Sequence, residues 1–224
     1  SRSTPLTVAF AAHPEIKAVS QLDERSAAFF ALGYAKRTGR PAPLVCTSGT
    51  ALANFHPAVV EADNARVPMV LLTADRPPEL ADGGANQTID QEKFYGDAVR
   101  QYRKLPEPEA ADRKLRSLRT ALSRAVGTAC GPAAGPVHLD VPFRKPLEPN
   151  ADPGDRPAGV PDGRLPEGFG TPTRPASDGR DGPFVSTMRG RAELSERDRQ
   201  TIVEAIEAAD SGLIVCGPSD QPVP

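Results

Sequence analysis

Continuous apolar runs and helical-period stripes alternate through residues 4–140. Residues 43–46 and 68–73 (PMVLLT) are unbroken apolar segments, and 136–140 (PVHLD) reads as the last strand of the set. Continuous rather than alternating apolarity marks strands covered on both faces, as in a parallel sheet. Helical patterns separate them. Pro5 suits a first helical turn, and Leu6, Val8, Ala9 and Phe10 fit a short helix ending near His13 and Pro14. Residues 16–19 read as a short strand. Residues 25–38 predict a helix with Phe29, Leu32 and Ala35 inward and Gly39 as its C-terminal cap. A further helix is expected at 51–62, and a long one at about 109–129 with Leu115, Leu118, Leu122 and Val126 at helical spacing. Strand, helix, strand, helix is the order of a doubly wound α/β sheet.

Four junctions interrupt this order with polar or small residues: SRSTPL at the start, DERSA at 23–27, CTSGTALAN at 46–54, and TADRPPELADGGANQTID at 73–90. The last is a long polar loop where a tight turn would suffice, and loops of that size usually carry function. Four such junctions on one sheet edge predict a ligand-binding rim.

Beyond 142 the pattern changes. Residues 142–183 hold ten Pro and many Gly and Asp without periodicity, too little apolar surface to offset the entropy of ordering. An interdomain linker is expected over 143–193. Ser195 with Asp198 resembles a weakened capping box, Ile202, Val203 and Ile206 give a helical face, and GLIVCG at 212–217 reads as a strand. The expected division is therefore an α/β domain at 1–142, the linker, and the truncated start of a second α/β domain at 194–224.

Composition narrows the class. Apolar residues make up 38% and charged residues 25%, and the formal net charge is −2 with the 27 Lys and Arg dispersed. A dedicated nucleic-acid binder would show a basic stripe instead. No apolar run approaches the ~20 residues of a membrane span, and the start lacks the layout of a signal peptide. A soluble, cytoplasmic protein is the expectation. Cys46, Cys130 and Cys216 are odd in number and far apart, which indicates neither a disulfide framework nor a zinc site, and all three read as small buried hydrophobes. His13, His56 and His138 lack ligand spacing, and His138 reads as a hydrogen-bonded core histidine. No GxSxG elbow is present.

Several residues at the junctions could carry chemistry. Glu24 follows one expected strand and opens a helix, where a carboxylate can face a crevice and have its pKa raised by desolvation. A first-turn acid stabilised by the helix dipole is the commoner use of that position. Ser1 and Arg2 precede a helix N-terminus, which favours an anion such as a carboxylate. Arg76 offers a planar fork for a carboxylate, with Asp75 available to hold it, although an Asp-Arg surface pair explains the dipeptide equally well. Pro77 and Pro78 stiffen the loop and Gly83 and Gly84 let it turn closely. Thr47, Ser48, Gly49, Thr50 and Asn54 form a strand-to-helix turn that matches neither phosphate-loop spacing, and Ser48 suits a plain helix cap.

The series SRSTPL, DER, TSGTALAN, LTADRPPEL and GANQ resembles the N-terminal pyrimidine-binding domain of the thiamine-diphosphate-dependent enzymes, in the branch that serves menaquinone biosynthesis. The resemblance covers roughly the first two-thirds of the chain. It implies a thiamine-diphosphate-binding fold, and a transferase that decarboxylates 2-oxoglutarate and adds the succinyl carbanion to isochorismate. By the same resemblance Glu24 is the catalytic acid/base, hydrogen-bonded to the cofactor's aminopyrimidine ring, with Thr47, Asn54 and Gln87 also at the cofactor. Ser1, Arg2, Arg76, Asn86 and Gln87 would contact substrate. Thiamine diphosphate is expected with Mg2+ or Mn2+, its diphosphate and metal held by a domain outside this chain, because no Asn follows Asn150 to supply the Asn-Asn end of the usual motif. The chain starts at Ser1, inside what the family writes as a turn, and so reads as a fragment. A homo-oligomer, dimer or tetramer, is expected to complete the site, and the isolated piece is expected to be inactive. The alternatives are another thiamine-dependent carboligase or decarboxylase of the acetolactate-synthase kind, or a non-catalytic α/β module that binds an acidic metabolite through Arg2 and Arg76.

Overall fold

A computed structural model describes residues 2–109, 111–148, 182–183, 185–188, 190 and 193–215. Ser1, Cys216 and most of the expected linker lie outside the described residues. Helix α1 (Thr4–Ala12) carries Pro5 in its first turn and ends at His13, whose backbone N–H donates to the Ala9 carbonyl at 3.2 Å. The strand expected at 16–19 does not form: the segment has no regular structure and no ladder partner among the described residues, and Val19 is 49% exposed. Ile16 and Val19 are too few to give a strand a face to bury.

Helix α2 (Glu24–Thr38) is fixed at both ends by side-chain and backbone chemistry. Asp23 accepts the Ser26 N–H at 2.7 Å as its N-cap, and Gly39, at φ +66°, donates to Ala35. The buried stripe is Ala28, Ala31, Leu32 and Ala35, whereas Phe29, expected inward, is 45% exposed. Small residues on the stripe let the helix lie close to the sheet, and Phe29 falls one residue, about 100°, off that stripe.

Strand β1 (Ala42–Cys46) leads into a 3₁₀ turn over Gly49–Phe55 and then helix α3 (His56–Asn64). The single helix expected at 51–62 is divided because Pro57, in the first turn of α3, cannot donate back into the preceding turn. Strand β2 (Met69–Asp75) is buried at every position. After the long loop come β3 (Gln101–Lys104), helix α4 (Asp112–Ala129) and β4 (Pro136–Pro142). Strand β3 has no apolar run to mark it: three of its four residues are polar, Tyr102 being the exception, and all are half-buried. In α4 the buried residues are Ala121, Ala125 and Ala129, with Leu118 and Leu122 flanking them and Val126 42% exposed, so the stripe is rotated from the expected one.

The four strands of the described residues run parallel in the order β1-β2-β4-β3, with Leu71 opposite His138 and Thr73 opposite Asp140. Outer strand β1 holds Pro43, exposed, opposite Val70. One face of the sheet, with Leu44, Met69 and Leu71, packs on α2 and α3; the other, with Val70, Leu72, Val137 and Leu139, packs on α4, with Leu6 and Phe10 of α1 against it. This is the expected doubly wound arrangement, and each fully buried Leu contributes roughly 2 kcal/mol.

Helix α5 (Glu196–Glu207) begins where the weakened capping box indicates, with Ser195 Oγ accepting the Asp198 N–H at 3.1 Å. Its apolar residues Ile202, Val203 and Ile206 are 46%, 45% and 64% exposed. Residues 212–215, expected to begin a strand, form none; Leu213, Ile214 and Val215 are all more than 80% exposed, with no neighbouring strand to cover them among the described residues. Among the described residues no helix is long and apolar enough to cross a membrane.

Candidate cofactor and substrate site

On the α2/α3 side the sheet changes character toward the C-terminal ends of its strands. Leu71 is followed at alternate positions by Thr73 and Asp75, and β4 places His138 and Asp140 on the same face. All four are buried, His138, Thr73 and Asp140 completely. Thr73 Oγ lies 2.7 Å from His138 Nε2 and donates to Asp140 Oδ1 at 3.1 Å. A hydroxyl has one proton, so the His138 tautomer consistent with both contacts carries its hydrogen on Nε2. Burial lowers the His138 pKa to about 4 and keeps it neutral, a hydrogen-bonded core histidine as its sequence position suggests. Burial, with Asp75 beside it, pushes the Asp140 carboxyl up to about 7.

Gln91 closes this cluster from the long loop and is 1% exposed. Its Oε1 accepts the Gly49 N–H at 2.9 Å, and its Nε2 donates to Asp140 Oδ1 at 2.8 Å and to the Ala74 carbonyl at 3.3 Å. Four residues earlier Gln87, at φ +57°, donates from Nε2 to the Ser48 carbonyl at 2.9 Å. The loop thus grips the turn after β1 at two points. Gly49 is required there: its φ is +82°, and a Cβ would stand 2.8 Å from Gln87 Cγ and 2.9 Å from the Gln87 carbonyl oxygen. Ser48 does not cap the following turn; its Oγ is buried without a hydrogen-bond partner. Asn54 is exposed and donates back to Thr50, and Thr47 is half-buried at the mouth of the turn.

Glu24 is the first residue of α2, half-buried, and its charge helps raise the pKa of the Cys46 thiol at the end of β1, where burial is the main cause. Glu24 therefore lies within electrostatic range of the end of β1, and a segment without regular structure rather than a strand precedes it. Cys46 is held as a neutral thiol, and Cys46 and Cys130 are buried outside any disulfide.

The basic residues converge on the same rim. Arg2 is 9% exposed and donates from Nη1 to the Phe143 carbonyl at 2.8 Å, just beyond β4. Arg76 donates through Nη2 to the Asn86 carbonyl, while its Nη1 is buried with no hydrogen-bond partner. Burial lowers the Arg76 pKa, and the charge of Arg2 lowers it further, so the two guanidinium groups lie within electrostatic range of each other. Asp75 does not hold the guanidinium as expected; it accepts the Arg76 backbone N–H at 2.7 Å, with Lys104 Nζ 3.8 Å away. The aspartate fixes the backbone, and of the fork Nη1 is left without a partner. Asn86 contributes its backbone carbonyl, and its side chain is exposed. A cleft of about 400 Å³ opens under the loop between Asp75, Arg76, Asp90, Gln91, Glu92 and Lys104.

Arg2, Arg76, Glu24, Thr47 and Gln87 thus lie at the strand ends of one side of the sheet, and Asn54 is bonded within its own 3₁₀ turn instead. Gln91, Asp140 and Lys104 join them without any motif in the sequence pointing their way. The alternation Thr73/Asp75 and His138/Asp140 inside apolar strands is a legible signal for Asp140; nothing local distinguishes Gln91 or Lys104. Two guanidinium groups within electrostatic range of each other, one with a buried unsatisfied nitrogen, suit a carboxylate. A carboxylate at a helix start beside a strand-end turn suits a ring that presents N–H and ring-nitrogen groups.

Residues 1–94 match the family model described as thiamine pyrophosphate enzyme, N-terminal TPP binding domain. Beyond the family, the chain is similar along its whole length to proteins named 2-succinyl-5-enolpyruvyl-6-hydroxy-3-cyclohexene-1-carboxylate synthase. Identity is 73% over 224 residues to that of Natronomonas pharaonis, 61% over 221 to that of Haloarcula marismortui, and 49% over 231 to that of Geobacillus kaustophilus. The alignments cover 100%, 99% and 99% of this chain, but only 38%, 36% and 35% of the respective relatives. The chain spans little more than a third of their length.

Proposed function

We propose that this chain supplies the pyrimidine side of the cofactor site, and part of the substrate site, of a synthase that joins the succinyl unit of 2-oxoglutarate to isochorismate. The observation that carries the assignment is the buried, unpartnered Nη1 of Arg76 within electrostatic range of Arg2. Both substrates are carboxylates, and a guanidinium N–H that is buried without an acceptor is costly until an oxygen completes it. Bound thiamine diphosphate supplies a thiazolium carbon that becomes nucleophilic once its proton is lost. Glu24 holds the cofactor's aminopyrimidine ring by a charge-assisted hydrogen bond and sets its tautomer. Thr47 and Gln87 shape the pocket for that ring, and Arg2 and Arg76 orient isochorismate by its carboxylates, with Ser1 and Asn86 beside them. The diphosphate and its Mg2+ or Mn2+ are held outside the residues described, across a subunit interface of a homo-oligomer, and the enzyme is cytoplasmic. Residues 1–142 form the pyrimidine domain, 143–193 the linker and 194–224 the start of the next domain.

The test uses the longest natural chain that carries this sequence. Isochorismate consumption is followed with 2-oxoglutarate, thiamine diphosphate and magnesium, in wild type and Glu24→Gln. Consumption that requires every component and falls at least a hundredfold in the variant is the expected result. A wild type that consumes pyruvate but not 2-oxoglutarate would move the assignment to an acetolactate-type enzyme.

A further inference from the structure

Gln91 lines the cleft beside Arg76 and joins three strand ends at once. Its acceptor takes the Gly49 N–H just past β1, its donor reaches the Ala74 carbonyl in β2, and the same donor reaches Asp140 in β4. The amide can sit only one way round, because Gly49 offers a proton and Ala74 offers a lone pair. The elements it joins are those that carry the rim. The turn at Gly49 packs against Gln87, which donates to Ser48; Arg76 follows Ala74 by two residues; and Asn86, whose carbonyl holds the Arg76 fork, lies five residues before Gln91 on the same loop. Its charge neutrality matters as well. Asp140 Oδ1 already accepts from Thr73, and Oδ2 has no partner, so the Gln91 amide is one of two donors available to this carboxyl.

We infer that Gln91 is a positioning residue for the synthase reaction, a buried amide that locks the loop carrying Arg76, Asn86 and Gln87 onto the turn after β1 and so sets the affinity for cofactor and isochorismate. The inference rests on the function proposed above. A glutamine needed only for folding would, when replaced, lower the yield or stability of the enzyme and leave the KM values of the folded fraction unchanged. A positioning amide shifts KM in enzyme that is folded.

The test is Gln91→Glu in the longest natural chain. The variant keeps the side chain's shape and the bond from Gly49, but sets an oxygen against Asp140 Oδ1 and the Ala74 carbonyl. A proton shared between the two carboxyls can restore the contact at low pH and is lost as pH rises. The expected result is a KM for thiamine diphosphate and isochorismate raised about tenfold at pH 8 and less at pH 6, with a weaker effect on kcat and a smaller pH trend in wild type, where Asp140, beside Asp75, titrates against a neutral amide. Gln91→Glu combined with Asp140→Asn exchanges donor and acceptor across the 2.8 Å bond and recovers part of the loss, the contact with the Ala74 carbonyl staying broken. KM values equal to wild type across this range, or no recovery in the double variant, overturn the inference. If wild type itself does not consume isochorismate, the functional assignment fails instead, and the two failures are told apart by the wild-type control. Should Gln91→Glu not fold, the double variant alone decides: a folded double variant with KM raised less than tenfold supports the bond, and one with KM still raised tenfold refutes it.

Discussion

Replacing Gly49 by alanine probes the junction on which the site depends. Two costs add. The backbone sits at φ +82°, which a residue with a Cβ adopts at a cost of ~1–2 kcal/mol. The new Cβ would also lie 2.8 Å from Gln87 Cγ and 2.9 Å from the Gln87 carbonyl oxygen. Backbone atoms give way poorly, so the loop must move, at the expense of the Gln87 hydrogen bond to Ser48, worth about 1 kcal/mol. The expected loss is about 3 kcal/mol. Two other glycines serve as controls. Gly39 shares the left-handed conformation at φ +66°, but a Cβ there would meet nothing within 4 Å, so Gly39→Ala bears the strain without the collision. Gly33 lies inside α2 with open space around it, and Gly33→Ala should stabilise by ~0.5–1 kcal/mol. Urea unfolding followed by circular dichroism gives all three differences on one scale. The reasoning fails if Gly49→Ala costs no more than Gly39→Ala, because the contact with Gln87 would then be slack.

The remaining expectations concern charge. His138 has its pKa lowered from 6.5 to about 4 by burial, so between those values the unfolded chain binds a proton that the folded sheet excludes. Stability should therefore fall as pH drops from 6.5 toward 4, by about 3 kcal/mol from this group. Asp140, raised by burial and Asp75, acts in the opposite sense, favouring the fold at low pH and losing that advantage as pH rises toward 7. Comparing the pH dependence of urea midpoints in wild type and His138→Gln isolates the histidine; parallel curves would refute its assignment. Arg76→Lys keeps the charge but loses the fork, and should raise the KM for isochorismate roughly tenfold to a hundredfold, as expected for a lost charge-assisted bond, with the unfolding midpoint little changed. Steady-state kinetics on the full-length enzyme measures it.

Much of this architecture can be read from hydrophobic pattern alone, because its central strands are buried on both faces. β2 and β4 have no solvent side, and their continuous apolarity survives in the sequence. The departures share a cause. Helical period points Phe29 and Val126 inward, but α2 and α4 approach the sheet through Ala28, Ala31, Ala121 and Ala125, where close packing favours small side chains over large ones. Strand β3 is invisible in the sequence because Gln101–Lys104 are polar apart from Tyr102 and only half-buried, held by pairing with β4 rather than by a hydrophobic face. At the site, the residues of the motifs are legible and the support beneath them is not. Arg76 and Gln87 announce themselves through their neighbours in the chain. Gln91 reaches Gly49 across 42 residues and Asp140 across 49, and no local pattern encodes a contact at that distance.

Pro43 has a consequence for how this sheet meets other chains. An outer parallel strand ordinarily presents a ready row of donors and acceptors on which a foreign strand can assemble, and that is the usual beginning of aggregation. β1 interrupts the row: Pro43 stands exposed near its middle and brings no N–H, so an incoming strand would find a missing rung where pairing would otherwise nucleate. The same proline leaves the ladder to β2 continuous. The sheet is therefore guarded against templated growth along β1 by a residue that contributes nothing to catalysis, and any substitution there trades that protection away even if the fold is unchanged.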